Sequence, residues 1–119
     1  MMKNKVQLIT YADRITGQNI GALTTLLNGP LKGVFGGVHL LPFYNPIDGS
    51  DAGFDPIDHS EVDSRIGTWE DIQVLGKDLD LMADLIVNHV SAQSFQFQDV
   101  LAKGKQSEFC DLFLTKEDV

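Results

Sequence analysis

The chain has few cysteines, few basic residues and no long apolar run. Its single cysteine, Cys110, excludes an internal disulfide, and a small hydrophobic role is expected for this thiol. Nine Lys and Arg residues face seventeen Asp and Glu residues, and the resulting formal net charge of -8 argues against a nucleic-acid partner. The apolar stretch near the N-terminus is too short for a signal peptide or a membrane span. We therefore expect a soluble cytoplasmic protein.

Three short apolar runs predict buried strands. They span residues 5–10, 38–43 and 81–90, and the last is the most strand-like because six of its ten residues are Leu, Met, Ile or Val. We expect this third strand to be covered on both faces, as in a parallel sheet, because the run is too long and too apolar for alternation with water. The acid-rich residues 49–63, between the second and third runs, predict part of a long polar loop.

Helical spacing of apolar residues predicts helices between the strands. Asn19 is the expected N-cap of the first helix, which ends at residues 28–30. The second begins at Thr68, which forms an approximate capping box with Asp71. A further short helix is expected to stop at Gly104. The alternation of strands and helices indicates right-handed βαβ units, and because a (β/α)8 barrel needs about 250 residues, this chain could hold less than half of one.

Two candidate site residues are expected at the carboxyl ends of the strands, where ligands gather in α/β sheets. Asp51 lies in the loop after the second strand, and His89 closes the third. Each also has a structural interpretation, as a solvated loop acid and as a histidine that seals a strand end. Phe54 is by its type a core residue, and Asp84, which enters a buried strand, needs a hydrogen-bonding partner.

Metal binding is a weaker interpretation of the acidic loop. Counted from Asp48, the loop has Gly53 at the sixth position of an EF-hand, but Ala52 and His59 stand where an oxygen ligand and a glutamate are needed. The three histidines lack the short spacing of zinc ligands, and the cysteine is isolated. We therefore expect neither a metal nor a cofactor.

Several segments resemble a known family of enzymes. Residues 84–89 (DLIVNH) are similar to the first signature region of the α-amylase superfamily, glycoside hydrolase family 13, and residues 62–72 are similar to its approach to the second helix. Residues 7–14, 36–67 and 88–104 resemble, more narrowly, the N-terminal portion of the sucrose phosphorylases. The likeness covers nearly the whole chain, and the motifs agree in order and in spacing.

The resemblance implies an α/β fold, namely the N-terminal part of a (β/α)8 TIM barrel with its first three strands and two helices. Residues 1–90 would belong to the barrel, and residues 91–119 would begin the inserted second domain, domain B. In the family, the positions that match Asp51 and His89 hold hydroxyls of the glucosyl unit, and the aromatic residue that matches Phe54 packs beside the sugar.

The implied activity is that of a retaining glucosyl-transferring enzyme. Sucrose and inorganic phosphate would give α-glucose 1-phosphate and fructose through a covalent glycosyl intermediate. The family's nucleophile, its acid/base and a third carboxylate lie on later strands, so we expect no catalytic residue in this chain, and we expect the chain alone to be inactive. Because the barrel interior would be open, its apolar surface would face water and the chain alone would be marginally stable.

Other interpretations of the sequence stay open. A relative that acts on sucrose phosphorylated on its fructose unit, or on another glucoside, would carry the same residues. A non-catalytic truncated product and a calcium-dependent or sugar-binding module are alternatives from other classes of protein. The oligomeric state is also open, with a homodimer of the full-length parent among the alternatives.

Overall fold

The computed structural model describes residues 1–49 and 52–119. Strands and helices follow one another along this part of the chain in the predicted order, with one additional antiparallel pair of strands. The strands are β1 (Gln7–Thr10), β2 (Gly37–Leu40), β3 (Tyr44–Pro46), β4 (Pro56–Val62) and β5 (Asp80–Ala83). The helices are α1 (Ile20–Asn28), α2 (Trp69–Leu75) and α3 (Phe95–Lys103), followed by 3₁₀ helices at Gly104–Gln106 and Cys110–Leu112.

The first, second and fifth strands form a parallel sheet in the order β1-β2-β5. Thr10 lies beside Leu40, and Leu40 lies beside Ala83, so the three strands end level with one another. Because β2 has a partner on each side, it is the central strand. The parallel pairing confirms the predicted βαβ units, in which α1 connects β1 to β2 and α2 precedes β5.

The helices α1 and α2 begin at the residues that the sequence predicts. The Asn19 side chain accepts a hydrogen bond from the backbone N–H of Ala22 at 2.9 Å, which caps α1. The Thr68 side chain accepts from the backbone of Asp71, and the Asp71 carboxylate accepts from the backbone of Thr68, so the capping box of α2 is complete. Each cap satisfies backbone donors that a helix terminus leaves free.

The core lies between this sheet and the two helices. Ile20 and Leu23 of α1, Val38 of β2 and Leu75 of α2 are each fully buried, at 0% exposure. Further core members are Ala12, Leu27, Leu40, Phe43 and Leu79. One face of the sheet is thus covered by helices, as in α/β folds.

The prediction of a long polar loop over residues 49–63 is wrong for residues 56–62. These residues form β4, which pairs antiparallel with β3, with Tyr44 opposite Val62. The register shifts on both sides of Asn45, and such bulges break the alternation of apolar and polar residues that identifies a strand. The irregular register and the acidic composition of residues 56–62 together explain why the sequence pattern did not predict this strand.

The prediction that residues 81–90 form a strand buried on both faces is also wrong. The strand β5 ends at Ala83, and the side chains of Leu85 and Val87 beyond it are 83% and 79% exposed. Within the described part of the chain, β5 is an edge strand that pairs only with β2, so nothing covers its other side. This exposed apolar surface agrees with the expectation for an open barrel.

The C-terminal residues form a small cluster of their own. The rings of Phe95 and Phe109 lie 5.5 Å apart and those of Phe97 and Phe113 lie 5.4 Å apart, in edge-on arrangements that fasten α3 to the residues after it. The helix stops at its C-cap Gly104, as predicted. The molecule is elongated, at 54 × 29 × 25 Å. In the ranges 1–49 and 52–119, no helix is both long and apolar enough to cross a membrane.

Candidate functional site

A cleft of about 220 Å³ lies at the carboxyl ends of β1 and β2. Tyr11 follows β1 directly, and Pro42 and Phe43 come shortly after β2. The described lining consists of Tyr11, Ala12, Asp13, Arg14, Pro42, Phe43, Tyr44, Pro46, Asp48, Gly49, Ala52, Gly53, Asp63 and Ile66. The position agrees with the rule that ligands of parallel sheets bind beyond the carboxyl ends of the strands.

Arg65 contacts two of the carboxylates that line the cleft. The Arg65 guanidinium donates to Asp48 from Nη1 at 3.1 Å and from Nη2 at 2.8 Å. It donates to Asp63 from Nε at 2.9 Å and 3.1 Å and from Nη2 at 2.7 Å. The hydrogen bonds from Arg65 lower the pKa of Asp63, and both carboxylates raise the pKa of Arg65. Asp63 and Arg65 are therefore both charged at neutral pH.

The loop between β3 and β4 has an unusual backbone on both sides of residues 50–51. Asp48 has φ of 65° and Ala52 has φ of 57°, in the left-handed region that residues with a Cβ rarely adopt. The Tyr11 hydroxyl donates to the carbonyl oxygen of Ala52 at 2.7 Å, which ties the far side of the loop to the end of β1. This hydrogen bond helps to keep Ala52 in a backbone conformation that a residue with a Cβ would otherwise disfavour.

A second polar network joins β2 to the residue after β5. The Oδ2 atom of Asp84 lies 3.0 Å from Nε2 of His39, and both side chains are about three-quarters buried. The Tyr44 hydroxyl donates to the Asp84 carbonyl oxygen at 2.9 Å. Burial, and then the nearby Asp84 carboxylate, raise the pKa of Tyr44. The prediction that Asp84 needs a partner is confirmed.

The predicted site residues have different positions in the structure. His89 lies six residues beyond the end of β5, so the prediction that it closes the third strand is wrong. Its Nε2 atom is 3.8 Å from Oδ1 of Asp55, which brings the segment after β5 next to the β3–β4 loop. Phe54 is 38% exposed and is not a core residue. Neither His89 nor Phe54 is among the described residues that line the cleft. Asp51 lies outside the described residues.

The structure offers no built metal centre in its described part. No group of three His, Cys, Asp or Glu residues is placed to hold a metal ion in residues 1–49 and 52–119. Within these residues the buried Nε2 atom of His59 has no hydrogen-bond partner, and its ring packs against Tyr44 at 5.8 Å.

A second cavity, of about 500 Å³, lies near the C-terminus and is lined in part by Cys110.

Sequence reasoning did not identify three residues that shape the site. Arg65 comes two residues after the acidic segment that ends at Asp63, and it is the one Lys or Arg residue among residues 33–76, which was a signal. Tyr11 carries a weaker signal, as an aromatic residue directly after the first strand. For His39, the imidazole in an otherwise apolar strand pointed to a buried polar partner.

Comparisons with known proteins agree with this architecture. Residues 32–119 match the catalytic domain of alpha amylase. The chain belongs to the alpha-amylase family. The match covers well over half of the chain, and the parallel strands and intervening helices are the N-terminal part of its (β/α)8 barrel.

Members of the alpha-amylase family with related sequences include phosphorylases. The chain is 62% identical over 114 residues to sucrose phosphorylase of Agrobacterium vitis, a match that covers 96% of this chain and 23% of that protein. It is 57% identical over 118 residues to sucrose phosphorylase of Bifidobacterium adolescentis, covering 99% of this chain and 23% of that protein. The chain therefore spans about a quarter of the length of these curated relatives.

A solved structure of the same family superimposes on the whole chain. The crystal structure of sucrose 6F-phosphate phosphorylase from Thermoanaerobacter thermosaccharolyticum matches with a TM-score of 0.91 and 45% identity. The match covers 100% of this chain and 24% of that chain. This similarity extends to the residues after β5, which are thus arranged as in a much longer alpha-amylase family protein.

Proposed function

We propose that this chain is the N-terminal portion of a sucrose phosphorylase, which transfers the glucosyl unit of sucrose to inorganic phosphate. The observation that carries the proposal is the 62% identity, over 96% of the chain, to a protein with that activity in its name. Sucrose and phosphate are the proposed substrates, and the cytoplasm is the proposed location. The role of this portion is to bind the sugar, while the nucleophile and the acid/base come from later strands.

The proposed sugar-binding residues are Asp51, His89 and Phe54. Support comes from their surroundings: Gly49 and Ala52, which flank residues 50–51, line the cleft at the strand ends. The contact between His89 and Asp55, four residues beyond position 51, brings the segment of His89 to the same loop. A carboxylate can accept hydrogen bonds from sugar hydroxyls, and an imidazole can either accept one or donate one. Phe54 presents a partly exposed ring, as a surface that packs beside a pyranose requires.

The proposed chemistry is a double displacement with retention at the anomeric carbon. A carboxylate outside this chain attacks that carbon and forms a glucosyl ester while an acid protonates the departing fructose oxygen. Phosphate then takes the place of water and releases α-glucose 1-phosphate. Residues of this chain would hold the glucose ring in position during both steps, so that little freedom is lost at the transition state.

We place the boundary between barrel and inserted domain after residue 90. The backbone N–H of Ser91 donates to the carbonyl oxygen of Pro56 at 3.2 Å, and among the described residues this is the last backbone hydrogen bond between the two parts. Beyond it, α3 and the 3₁₀ helices pack on one another through paired phenylalanine rings. This separation supports residues 1–90 as barrel and residues 91–119 as the start of domain B.

The test uses the full-length gene product with sucrose and inorganic phosphate. We expect phosphate-dependent formation of α-glucose 1-phosphate, measured by a coupled assay. Asp51→Asn and His89→Gln should each lower kcat/KM for sucrose by roughly 100-fold or more, because a misplaced substrate reacts slowly. A matched control is Asp58→Asn, since that carboxylate is bonded to Ser60 at 2.6 Å and 2.7 Å within β4. Absence of glucose 1-phosphate from the wild-type reaction would exclude the proposed activity.

A second candidate function is phosphorolysis of sucrose phosphorylated on its fructose unit. It is favoured by 49% identity to the sucrose 6(F)-phosphate phosphorylase of Thermoanaerobacterium thermosaccharolyticum over 96% of this chain. Sequence identity is higher to the sucrose phosphorylases, which is why sucrose is proposed first. Comparing kcat/KM for sucrose with that for its fructose-phosphorylated form separates the two candidates.

A further inference from the structure

Arg65 joins the loop between β3 and β4 to the end of the central strand. Its guanidinium forms a two-bond pair with Asp48, at the start of the loop, and a three-contact pair with Asp63, just beyond β4. The planar fork of an arginine can hold two carboxylates in fixed directions, whereas a lysine ammonium is a point charge that cannot. Both carboxylates line the cleft, so Arg65 connects two parts of its wall.

Asp63 is held in place by its burial and by a backbone hydrogen bond. Its side chain is only 13% exposed, and its backbone N–H donates to the carbonyl oxygen of Phe43 at 2.9 Å. Phe43 is buried, at 4% exposure, and follows the central strand β2. The position of the guanidinium is therefore set by the core of the sheet, and Asp48 is held at a fixed distance from that core.

The other side of the loop is held independently. The Tyr11 hydroxyl bonds to the Ala52 carbonyl oxygen, and a Cβ added at Gly53 would lie 3.2 Å from the carbonyl oxygen of Pro42, so the backbone there lies close to the end of β2. Each described flank of the loop therefore has its own anchor: Arg65 holds Asp48, and Tyr11 holds Ala52.

Loss of Arg65 would release Asp48, on one side of the loop, but not Ala52, on the other side. Asp48 and Asp63 both accept a hydrogen bond from the same nitrogen, Nη2, so their carboxylates lie close together on either side of a positive charge. Without that charge the two carboxylates repel each other, and Asp48 moves away because Asp63 is fixed. The flank of the loop would then leave its left-handed backbone conformation.

We propose that Arg65 is a positioning residue for sugar binding, which holds Asp48 and Asp63 in place on the wall of the cleft. The inference rests on the proposed function. Arg65 does not itself contact the sugar; it acts through Asp48. Because the Arg65 and Asp48 side chains are 59% and 64% exposed, their pairing adds little to global stability, and its effect is expected on substrate affinity.

The experiment compares variants of the full-length protein. Arg65→Gln should raise the KM for sucrose about tenfold and lower kcat/KM by roughly 10 to 100-fold, with a melting temperature close to that of the wild type. Arg65→Lys should restore part of this loss, since it returns the charge without the fork. The matched control is Lys103→Gln, which removes the 2.6 Å ion pair with Asp99 on α3, away from the cleft, and should leave KM unchanged.

A double-variant cycle decides whether Arg65 acts through Asp48. In an Asp48→Ala background, Arg65→Gln should cause no further loss, because residues that act as one unit are not additive. Full additivity, or an unchanged KM in Arg65→Gln alone, would overturn the proposal.

Hydrogen exchange gives a readout that does not depend on activity. Peptides that cover residues 47–55 should exchange faster in Arg65→Gln than in Lys103→Gln, while the peptides of β2 stay protected. If the wild-type protein shows no phosphorolysis, the proposed function fails but this measurement still tests the anchor. Unchanged exchange over residues 47–55 would show that Arg65 does not position the loop.

Discussion

Replacing Gly37 by alanine should destabilise the protein, whereas replacing Gly21 by alanine should not. Gly37 opens the central strand and is packed from both sides. A Cβ at this position would lie 2.6 Å from the backbone oxygen and 2.9 Å from the Cβ of Asp80, and it would also collide with the side-chain oxygen of Gln7. The Gln7 side chain can rotate away, but the Asp80 backbone is fixed in the ladder between β2 and β5.

The expected cost follows from this geometry. The two strands must separate by several tenths of an ångström, or the added methyl group must distort the ladder, and such overpacking costs about 1–3 kcal/mol of the free energy of unfolding. The matched control is Gly21→Ala in α1. There the new Cβ would lie 3.4 Å from Oδ1 of Asn19, an ordinary contact, so the better helix propensity of alanine should stabilise the protein by up to about 1 kcal/mol.

The assay is urea unfolding of the full-length protein, followed by circular dichroism. The Gly37→Ala midpoint should fall and the Gly21→Ala midpoint should stay or rise, with similar slopes for all three proteins. Two results would refute the reasoning about the sheet: an unchanged midpoint for Gly37→Ala, or shifts of the same size and direction in both variants. In either case the contact between β2 and β5 would not be as close as the structure shows.

Two further predictions concern the cleft wall and the core. Because burial and the Asp84 carboxylate raise the pKa of Tyr44 above its ordinary value of 10.0, the folded state resists ionisation there, and stability should be lost as pH rises above about 10. Tyr44→Phe should reduce this loss of stability at alkaline pH. The melting temperatures of both proteins are measured from about pH 8 to about pH 11. Equal slopes of melting temperature against pH for the two proteins would contradict the prediction. Leu75→Ala should cost about 2–5 kcal/mol because Leu75 is fully buried, whereas Val74→Ala should change the free energy of unfolding by less than about 0.5 kcal/mol because Val74 is 46% exposed. Urea midpoints compare these neighbours, and similar losses for the two would count against the assigned core.

The helices were predictable because their signals are local. The Asn19 cap and the Thr68–Asp71 capping box each depend on residues within one turn, and both are present as expected. The order of strands was predictable for a related reason, since three apolar runs joined by helical segments allow few topologies. Neither inference needed distant contacts.

The failures share a cause, which is that the missing information is not local. The pairing of β4 with β3 depends on a partner strand across an irregular register, and the acids of residues 56–62 do not reveal it. The apolar pattern of Leu85 and Val87 predicts neighbours on both faces, but burial requires those neighbours to be present, and within the described residues they are not. The isolated Arg65 was visible in the sequence, but its partner Asp48 lies seventeen positions away, so no spacing rule could have identified the pair.

The central strand has a consequence for how this part of the protein can vary. Both ladders of the sheet run through the same four residues of β2, and in a pleated strand a slip of one residue turns every side chain to the opposite face. A slip of β2 by one residue would turn His39 toward the helices. It would also misalign the segments that follow β1 and β5. Changes that retune the cleft are consequently tolerated in the connecting segments, where each can move alone, and not in β2.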